Sequence, residues 1–577
     1  MKRVFASLAA VTGLVGPVAH AANLGDVCTT AYIQSVLPAS DDIESLLIDS
    51  SSVTANAVYN ASIAENTFYP AATISYCNIT LAYSHPGKED RVLLKFWMPP
   101  PSEFQNRWLS TGGGGYAINS GETYLPGGVQ YGAATGLTDG GFGDFTTDVD
   151  AVILAANGTI DYDALYMFGY RAHHELSVIG KAFTKSFYAS SDTEKLYAYY
   201  QGCSEGGREG YSQVQRFADQ WDGAVIAAPA FRYGHQQVNH LVPAVVEQTL
   251  GYFPPPCEFE KIVNLTISAC DGLDGRTDGV VARTDLCKLH FDINSTIGHL
   301  YSCAASSGGA MSSATPAQFG KVTAKGVAVA RTILDGLHTL DGRRSYIWYQ
   351  PTATFDDANP QYNAENGEWE VSVTSLGGEW VTRFLQFRDL DNLPNLDGVT
   401  YDTLTQWMQE GWQRYEDVLQ TTWPDLTPFH SAGGKIIHIH GESDPSIPAG
   451  SSVHYHESVR KTMYPDLSFT ESTEALNAWN RLFLVSGAAH CEPSANQPNG
   501  GWPQTTLQTL IDWVEGGAAP ERLNATVLSG EKKGQQQELC AWPRRPLWKK
   551  GKLECVFDKR SYETWVYDFD AFKLPVY

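Results

Sequence analysis

The mature part of this sequence lacks any long apolar run. Past the N-terminal segment there is no stretch of about 18 consecutive apolar residues, so the sequence predicts no transmembrane helix. A shorter apolar run, from Val4 to Val18, follows the basic start Met1-Lys2-Arg3 and precedes the small-residue motif Ala19-His20-Ala21. This order is typical of a secretory signal peptide, and it predicts a secreted, extracellular protein whose mature chain begins near Ala22.

Positive charge is also scarce. The chain has 40 Lys and Arg residues against 64 Asp and Glu residues, which gives a net charge of -24 and an isoelectric point near 5.0. Such a chain repels the phosphate backbone of nucleic acids and the surface of anionic membranes, so neither is an expected partner. The expected partner is a small-molecule substrate, and the sequence leaves a homo-oligomer open.

Cysteine pairs of the zinc-binding type are absent as well. No C-x-x-C motif occurs among the ten cysteines, and an even number of cysteines in a secreted chain favours five disulfides. N-x-S/T sequons, which fit a glycosylated secreted protein, occur at Asn60, Asn78, Asn157, Asn264, Asn294 and Asn524.

The segment Gln201-Gly202-Cys203-Ser204-Glu205-Gly206-Gly207 stands between a predicted buried strand, residues 195–200, and a predicted helix, residues 208–217. Its G-x-S-x-G pattern is that of a nucleophile elbow, a tight turn that lifts a serine hydroxyl clear of the sheet. The alternative is an ordinary glycine and serine turn. The strand before it and the helix after it favour the catalytic interpretation.

Strands and helices alternate on both sides of this turn. Predicted strands are residues 90–98, 107–110, 223–228, 435–440 and 481–485, and predicted helices are residues 173–188 and 504–515. This alternation indicates an α/β protein with a parallel sheet. After residues 107–110 come four glycines, Gly112 to Gly115, where an α/β-hydrolase places its oxyanion loop; a plain flexible loop is the alternative.

The alternation breaks down between residues 231 and 425, which we interpret as an inserted lid domain. The catalytic domain is then formed by residues 22–230 and 426–577, behind a signal peptide of residues 1–21. Within the lid, residues 304–318 are rich in Ser, Gly and Ala and predict a mobile loop.

The lid also contains a glycine-spaced acidic segment, residues 270–280. Asp271, Asp274 and Asp278 are separated by glycines and lie between Cys270 and Cys287, which we expect to form a disulfide. Carboxylates on such a loop can wrap around a hard cation, so the pattern favours a structural Ca²⁺ site over a repeated Asp-Gly turn.

Two further polar residues follow predicted strands. A serine nucleophile needs an imidazole as base and a carboxylate to orient that imidazole, and α/β-hydrolases supply them in the chain order Ser, Asp, His. Ser204, Asp444 and His490 satisfy this order. Glu442 is a rival for the carboxylate position, but Asp444 lies farther past the end of its strand.

The cysteines beside two of these residues strengthen the assignment. Cys203 directly precedes Ser204, and Cys491 directly follows His490. A disulfide holds its two Cα atoms about 4.4 to 6.8 Å apart, so a Cys203–Cys491 bridge would force the nucleophile and the base into proximity. The alternatives are a buried free thiol or a nucleophilic Cys203, and the even cysteine count argues against both.

These motifs resemble the tannase and feruloyl esterase family of fungi. The resemblance is carried by the elbow up to Arg208, by His440-Gly441-Glu442-Ser443-Asp444, and by Gly487-Ala488-Ala489-His490-Cys491. It implies a Ser204, Asp444 and His490 triad on an α/β-hydrolase fold, and a calcium site formed by Asp271, Asp274, Asp278 and the carbonyl groups of Arg276 and Val280. The family's lid carries that calcium.

Three segments look more like the tannases than the feruloyl esterases of this family: Pro254-Pro255-Pro256-Cys257, Leu426-Thr427-Pro428-Phe429 and Phe572-Lys573-Leu574-Pro575-Val576-Tyr577. The resemblance therefore implies a secreted serine esterase that hydrolyses galloyl esters and depsides through an acyl-enzyme. We expect the N–H of Glu205 and an N–H of the glycine loop, at Gly113 or Gly114, to bind the oxyanion. A feruloyl esterase is the nearer alternative, and a calcium-dependent carbohydrate-binding protein is the distant one.

Overall fold

A nine-stranded sheet runs through the centre of the protein. The structure, a computed structural model, describes residues 23–191, 193–307, 314–358 and 360–577. The predicted signal peptide and residues 308–313, at the centre of the predicted mobile loop, lie outside the described residues.

The strands are β1 (Leu47–Ile63), β2 (Ala72–Ser84), β3 (Val92–Met98), β4 (Arg107–Thr111), β5 (Ala133–Thr138), β6 (Leu154–Ala156), β7 (Thr159–Ile160), β8 (Tyr197–Cys203), β9 (Gly223–Ala227), β10 (Leu300–Cys303), β11 (Gln318–Lys321), β12 (Gln361–Asn363), β13 (Glu368–Glu370), β14 (Lys435–Gly441), β15 (Asn480–Val485), β16 (Gly501–Trp502), β17 (Arg522–Val527), β18 (Gln536–Cys540), β19 (Arg545–Lys549) and β20 (Lys552–Val556).

The α-helices are α1 (Leu24–Val27), α2 (Thr30–Ser35), α3 (Leu125–Gln130), α4 (Tyr162–Tyr166), α5 (Ala172–Phe187), α6 (Glu205–Arg216), α7 (Tyr233–Asn239), α8 (Val242–Leu250), α9 (Pro256–Cys270), α10 (Thr284–His290), α11 (Ala324–Asp335), α12 (Ser375–Glu379), α13 (Tyr401–Tyr415), α14 (Thr427–Ser431), α15 (Gly450–Met463), α16 (Phe469–Asn477), α17 (Thr506–Gly516) and α18 (Lys559–Glu563).

The strand order of the central sheet is β1-β2-β3-β5-β4-β8-β9-β14-β15. The strands from β5 to β15 are parallel, and β1, β2 and β3 extend the sheet as antiparallel neighbours. All carboxyl ends of the parallel strands meet at one edge, which is where loops of an α/β sheet place a site. The predicted α/β-hydrolase fold is confirmed.

Both faces of the parallel strands are buried, and successive side chains alternate between them. Trp108, Tyr200, Ile226 and Ile436 pack in one core cluster with Leu176 and Phe183 of α5, whereas their neighbours Leu109, Tyr199, Val225 and Ile437 pack in a second cluster with Leu507, Leu510 and Ile511 of α17. Burial of each large apolar side chain contributes about 1.5 to 3 kcal/mol. Strands covered on both faces are nearly continuous in apolar residues, which is why the sequence predicts them well.

A long insertion separates β9 from β14. No described residue between these two strands joins the central sheet; the segment carries α7 to α14 and the hairpins β10–β11 and β12–β13. The predicted lid, residues 231–425, falls inside this insertion. Its helices α7 and α13 cross closely, because a Cβ on Gly234 would lie only 2.8 Å from the backbone of Gly411.

Among the described residues, no helix is long and apolar enough to cross a membrane.

Candidate active site

Ser204 occupies the turn between β8 and α6. Its backbone has φ of 65° and ψ of -123°, a conformation that costs a non-glycine residue on the order of 1 to 3 kcal/mol. The flanking glycines make the turn tight: a Cβ on Gly202 would lie 2.5 Å from the carbonyl oxygen of Gly206, and a Cβ on Gly206 would lie 2.8 Å from that of Gly113. The predicted elbow is therefore present, with the strained residue at its apex.

A serine, a histidine and an aspartate form an unbroken run of contacts at the carboxyl edge of the sheet. The distance from Nε2 of His490 to Oγ of Ser204 is 2.9 Å, and the distance from Nδ1 of His490 to Oδ2 of Asp444 is 2.8 Å. Asp444 is fully buried, while the His490 side chain keeps 24% of its surface exposed. The base is thus open to a substrate and the carboxylate is not.

The surroundings of Asp444 keep it ionised. Its Oδ1 accepts the N–H groups of Ser446 and Ile447, each at 2.8 Å, and its Oδ2 also contacts Nε2 of His440 at 3.1 Å. Burial on its own would raise the pKa of Asp444, but His490 and His440 outweigh it and hold the pKa well below its usual range. The carboxylate is therefore charged whenever His490 can act as a base.

Asp444 acts on His490 in the opposite direction. Burial lowers the pKa of His490, but the charge of Asp444 and the hydrogen bond to it raise the pKa more, so that it lies above its ordinary value. An imidazole that gains a proton readily is suited to take one from Ser204.

The rival carboxylate, Glu442, is occupied elsewhere. Its Oε2 accepts hydrogen bonds from Arg545 at 2.5 Å and from Thr284 at 2.6 Å, and its Oε1 accepts one from Ser486 at 3.3 Å. Glu442 therefore anchors the segment behind the site, and no hydrogen bond or ion pair joins it to His490.

All ten cysteines are paired, which confirms the predicted five disulfides. Cys203 and Cys491 are bridged with their Cα atoms 6.1 Å apart, although 288 positions separate them in the chain. The predicted Cys270–Cys287 bridge is also present. The remaining bridges are Cys28–Cys77, Cys257–Cys303 and Cys540–Cys555.

The glycine loop lies against the elbow, but its N–H groups differ from the expected arrangement. The N–H of Gly113 donates to Oε2 of Glu209 at 2.8 Å, and the N–H of Gly114 donates to the carbonyl of Ala117 at 3.1 Å. Both of these N–H groups therefore already have acceptors inside the protein, contrary to the prediction that they face a substrate. Glu205 is the first residue of α6, so its own N–H has no acceptor within the helix.

Glu209 is a buried residue that no sequence motif singles out. Besides the N–H of Gly113, its Oε2 lies 3.0 Å from Nε2 of His173 and 3.3 Å from the hydroxyl of Tyr200. Glu209, His173 and Tyr200 are fully buried. From the other side, the hydroxyl of Tyr233 donates to the carbonyl of Gly115 at 2.8 Å, so the glycine loop is held at both ends.

The predicted calcium loop forms a short helical turn after α9. Asp271 accepts the N–H groups of Asp278, Gly279 and Val280, and Asp274 accepts that of Arg276. Burial raises the pKa of Asp274 to about 6, and the charges of Asp278 and Asp271 add to this effect.

The three carboxylates of this loop do not converge on one point through their side chains alone. They do not form a group with one oxygen from each within 4.8 Å of the others. Asp278 pairs instead with Nε of Arg276 at 2.8 Å and with Nζ of Lys532 at 3.5 Å. A cation here would need backbone carbonyl groups to complete its shell.

The sequons are accessible with one exception. Asn78 is half-buried on β2, and the others are exposed, at Asn60, Asn157, Asn264, Asn294 and Asn524. Glycosylation at these asparagines stays a prediction.

Comparisons with known proteins agree with this geometry. A family model described as "Tannase and feruloyl esterase" matches residues 77–562. A tannase of Aspergillus oryzae is 50% identical over 580 residues, which cover 97% of this chain and 97% of that protein. A probable feruloyl esterase of Arthroderma benhamiae is 30% identical over 502 residues, which cover 85% of this chain and 88% of that protein.

Among solved structures as well, a tannin acyl hydrolase is more similar to this chain than a feruloyl esterase. Tannin acyl hydrolase from Aspergillus niger superposes with a TM-score of 0.94 at 58% sequence identity and covers 96% of this chain and 99% of its own. Feruloyl esterase B from Aspergillus oryzae superposes with a TM-score of 0.68 at 25% identity, over 91% of this chain and 100% of its own.

Proposed function

The chain belongs to the tannase and feruloyl esterase family and is a carboxylic ester hydrolase, and from this premise we propose that it is a secreted serine esterase that cleaves galloyl ester and depside bonds. The observation that carries the proposal is the unbroken run of contacts from Ser204 through His490 to Asp444. The tannase and the tannin acyl hydrolase are also more similar to this chain than the feruloyl esterases named above.

The first half of the reaction forms an acyl-enzyme. Oγ of Ser204 attacks the ester carbonyl carbon while Nε2 of His490 takes the hydroxyl proton, and Asp444 stabilises the resulting imidazolium. The N–H of Glu205, at the N-terminus of α6, donates to the oxyanion. Collapse of the tetrahedral intermediate breaks the ester C–O bond, and the leaving alcohol or phenol receives the proton from His490.

The second half hydrolyses the acyl-enzyme. Water enters beside His490, gives a proton to Nε2 and attacks the acyl carbon, and the Ser204 oxygen leaves with that proton. Gallic acid is released and the enzyme returns to its starting state. The Cys203–Cys491 bridge supports this cycle because it holds the backbone on either side of the reacting pair.

We propose that Ca²⁺ has a structural role in the acidic loop. The fit is supported by an all-oxygen set of donors and by the burial of Asp274 beside two other carboxylates, an arrangement that a divalent cation would stabilise. Asp271, Asp274 and Asp278 with the carbonyl groups of Arg276 and Val280 would hold the ion, and Asp278 would exchange its pairing with Arg276 for the metal.

Secretion is supported by the five disulfides and by the signal-peptide pattern, since disulfides persist in oxidising compartments.

The test of the proposed function is a comparison of kcat/KM on methyl gallate and methyl ferulate. We expect methyl gallate to be the better substrate by at least about tenfold, equivalent to about 1.4 kcal/mol of transition-state binding. A preference for methyl ferulate would assign the chain to the feruloyl esterases of the family instead.

A further inference from the structure

The insertion carries a carboxylate near the triad that the reaction cycle does not use. Asp357 lies in the insertion, and its Oδ2 accepts a hydrogen bond from Nδ1 of His240 at 2.7 Å. The His240 side chain is 4% exposed, whereas that of Asp357 keeps 16% of its surface. Asp357 is thus anchored on its buried side and open on the other.

A run of contacts joins this pair to the triad. Nε2 of His240 lies 3.4 Å from Nε2 of Gln236, and the same amide of Gln236 donates to the carbonyl of Ser446 at 2.7 Å. The N–H of Ser446 in turn donates to Asp444 at 2.8 Å. Gln236 therefore bridges the Asp357–His240 pair to the turn that carries the triad carboxylate.

Asp357 is also electrostatically coupled to the base of the triad. His490 is partly accessible, yet burial is the largest influence on its pKa and the charge of Asp357 is among those acting on it. The charge of Asp357 therefore reaches the residue whose Nε2 contacts Oγ of Ser204.

We propose that Asp357, held by His240, accepts hydrogen bonds from adjacent hydroxyl groups of a polyhydroxylated aromatic acyl group whose carbonyl carbon lies at Ser204. This inference rests on the proposed function and names the group that would select its substrate. An ionised carboxylate is a pure acceptor, and its Oδ1, which pairs with no group in the described part of the chain, offers two lone pairs.

The chemistry of the ring then explains a preference. A galloyl ring carries three adjacent hydroxyls, so two neighbouring O–H groups can donate to one carboxylate. A feruloyl ring carries one hydroxyl beside a methoxy group, which has no donor. Hydrogen bonds to a charged acceptor are stronger than neutral ones, so their loss should lower kcat/KM for the hydroxylated substrate.

Glu492, like Asp357, is a carboxylate outside the triad whose charge raises the pKa of His490. It therefore serves as a matched control for Asp357. It is exposed and, among the described residues, has no side-chain hydrogen bond or ion pair. An unanchored side chain must lose rotamer freedom to bind a ligand, whereas Asp357 is already fixed. Both substitutions remove one negative charge near His490, so an effect of that charge on His490 would appear in both variants.

The experiment compares kcat/KM on methyl gallate with kcat/KM on methyl benzoate, which has no ring hydroxyl. Changes at His490 affect both substrates and cancel in this ratio. For Asp357→Asn we expect the ratio to fall about 10- to 100-fold. For Glu492→Gln we expect it to stay within about twofold of the wild-type ratio.

Active sites are counted with a serine-directed phosphonate, so misfolded protein does not enter the rates, and Asp357→Ser is measured in the same way in case the amide variant does not fold. An unchanged ratio in the Asp357 variants, or a fall in Glu492→Gln instead, would overturn the inference. If the wild-type enzyme hydrolyses methyl ferulate and not methyl gallate, the proposed function fails first, and that result is seen without any variant.

Discussion

Two disulfide-closed regions of the molecule differ in what their bridges join. Cys203–Cys491 connects positions that are 288 residues apart in the chain. Cys203 is the last residue of β8, and Cys491 lies in the segment after β15. Each of the two cysteines is adjacent to a residue of the triad. Cys270–Cys287 spans 17 residues and closes the acidic loop on itself. The first bridge fixes the relation between two distant reacting groups, whereas the second restrains a local turn.

The two bridges should therefore affect different properties of the protein. A bridge beside reacting groups controls their mutual geometry, and errors of about 1 Å in such geometry cost on the order of 10²-fold in rate. A bridge that closes a short loop acts chiefly on the unfolded chain, and for a loop of this size contributes about 3 kcal/mol in the chain-entropy model. The triad region should therefore respond in kcat, and the acidic loop in stability.

The largest effect is expected from removing the nucleophile. Ser204→Ala leaves His490 and Asp444 in place but takes away the attacking oxygen, so kcat should fall about 10⁵- to 10⁶-fold. Steady-state rates on methyl gallate measure this, with circular dichroism to show that the fold is kept. A variant that retains a tenth of the wild-type rate would remove Ser204 from the mechanism.

The next effect separates the two bridges. Cys203→Ala combined with Cys491→Ala should lower kcat about 10- to 100-fold per folded molecule, because Ser204 and His490 lose their fixed spacing. Cys270→Ala combined with Cys287→Ala should leave kcat at 25 °C within about twofold. Equal effects of the two double variants on kcat would contradict the comparison.

These positions also show what a single sequence can reveal. Ser204, Asp444 and His490 follow strands that are apolar enough to be recognised, and the cysteines beside two of them predict the long-range contact. Local pattern and covalent chemistry were sufficient there. The sequence pattern begins this helix at residue 208, three residues after the observed start of α6 at Glu205, because Gly206 and Gly207 in its first turn are poor helix formers that here allow close packing.

Other parts of the molecule had no local signal. β5 is rich in small residues, and Gly136 within it is required because a Cβ there would lie 2.6 Å from Trp108, a residue on another strand. The sequence locates the glycine loop, but Gly112 and Gly113 within it serve packing: a Cβ on Gly112 would lie 2.8 Å from the backbone of Gly206, and a Cβ on Gly113 would lie 1.9 Å from the carbonyl oxygen of Ala117. Contacts such as Glu209 with Gly113, or His240 with Asp357, join residues about a hundred positions apart and leave no periodicity to find.

A smaller effect is expected from removal of the proposed Ca²⁺, and it tests whether the acidic loop contributes to stability and not to catalysis. Chelation should lower the midpoint of thermal unfolding of the wild-type protein while kcat at 25 °C changes little, because an ion bound only to the folded state stabilises it. Differential scanning calorimetry with and without a chelator measures this.

The Cys540–Cys555 bridge, with a separation of 15 residues, provides the matched control. Cys540→Ala combined with Cys555→Ala should keep the full response to the chelator, and the double variant at Cys270 and Cys287 should lose most of it. A wild-type midpoint that ignores the chelator would argue against a structural ion in this loop.

The smallest effect is a shift of the pH profile. The negative charge of Glu492 contributes to the raised pKa of His490, and His490 must be neutral to accept the proton of Ser204. Glu492→Gln should lower that pKa, so the acidic limb of kcat/KM should move to lower pH. A shift to higher pH, or no shift, would show that Glu492 does not act on His490.

Labelling by a serine-directed phosphonate, followed by mass spectrometry of the modified peptide, identifies the nucleophile. A triad built from Ser204, His490 and Asp444 predicts fast, stoichiometric modification of Ser204 in the wild-type protein and loss of fast labelling in His490→Ala. Modification of a different residue, or labelling of Ser204 that is equally fast without His490, would contradict the account.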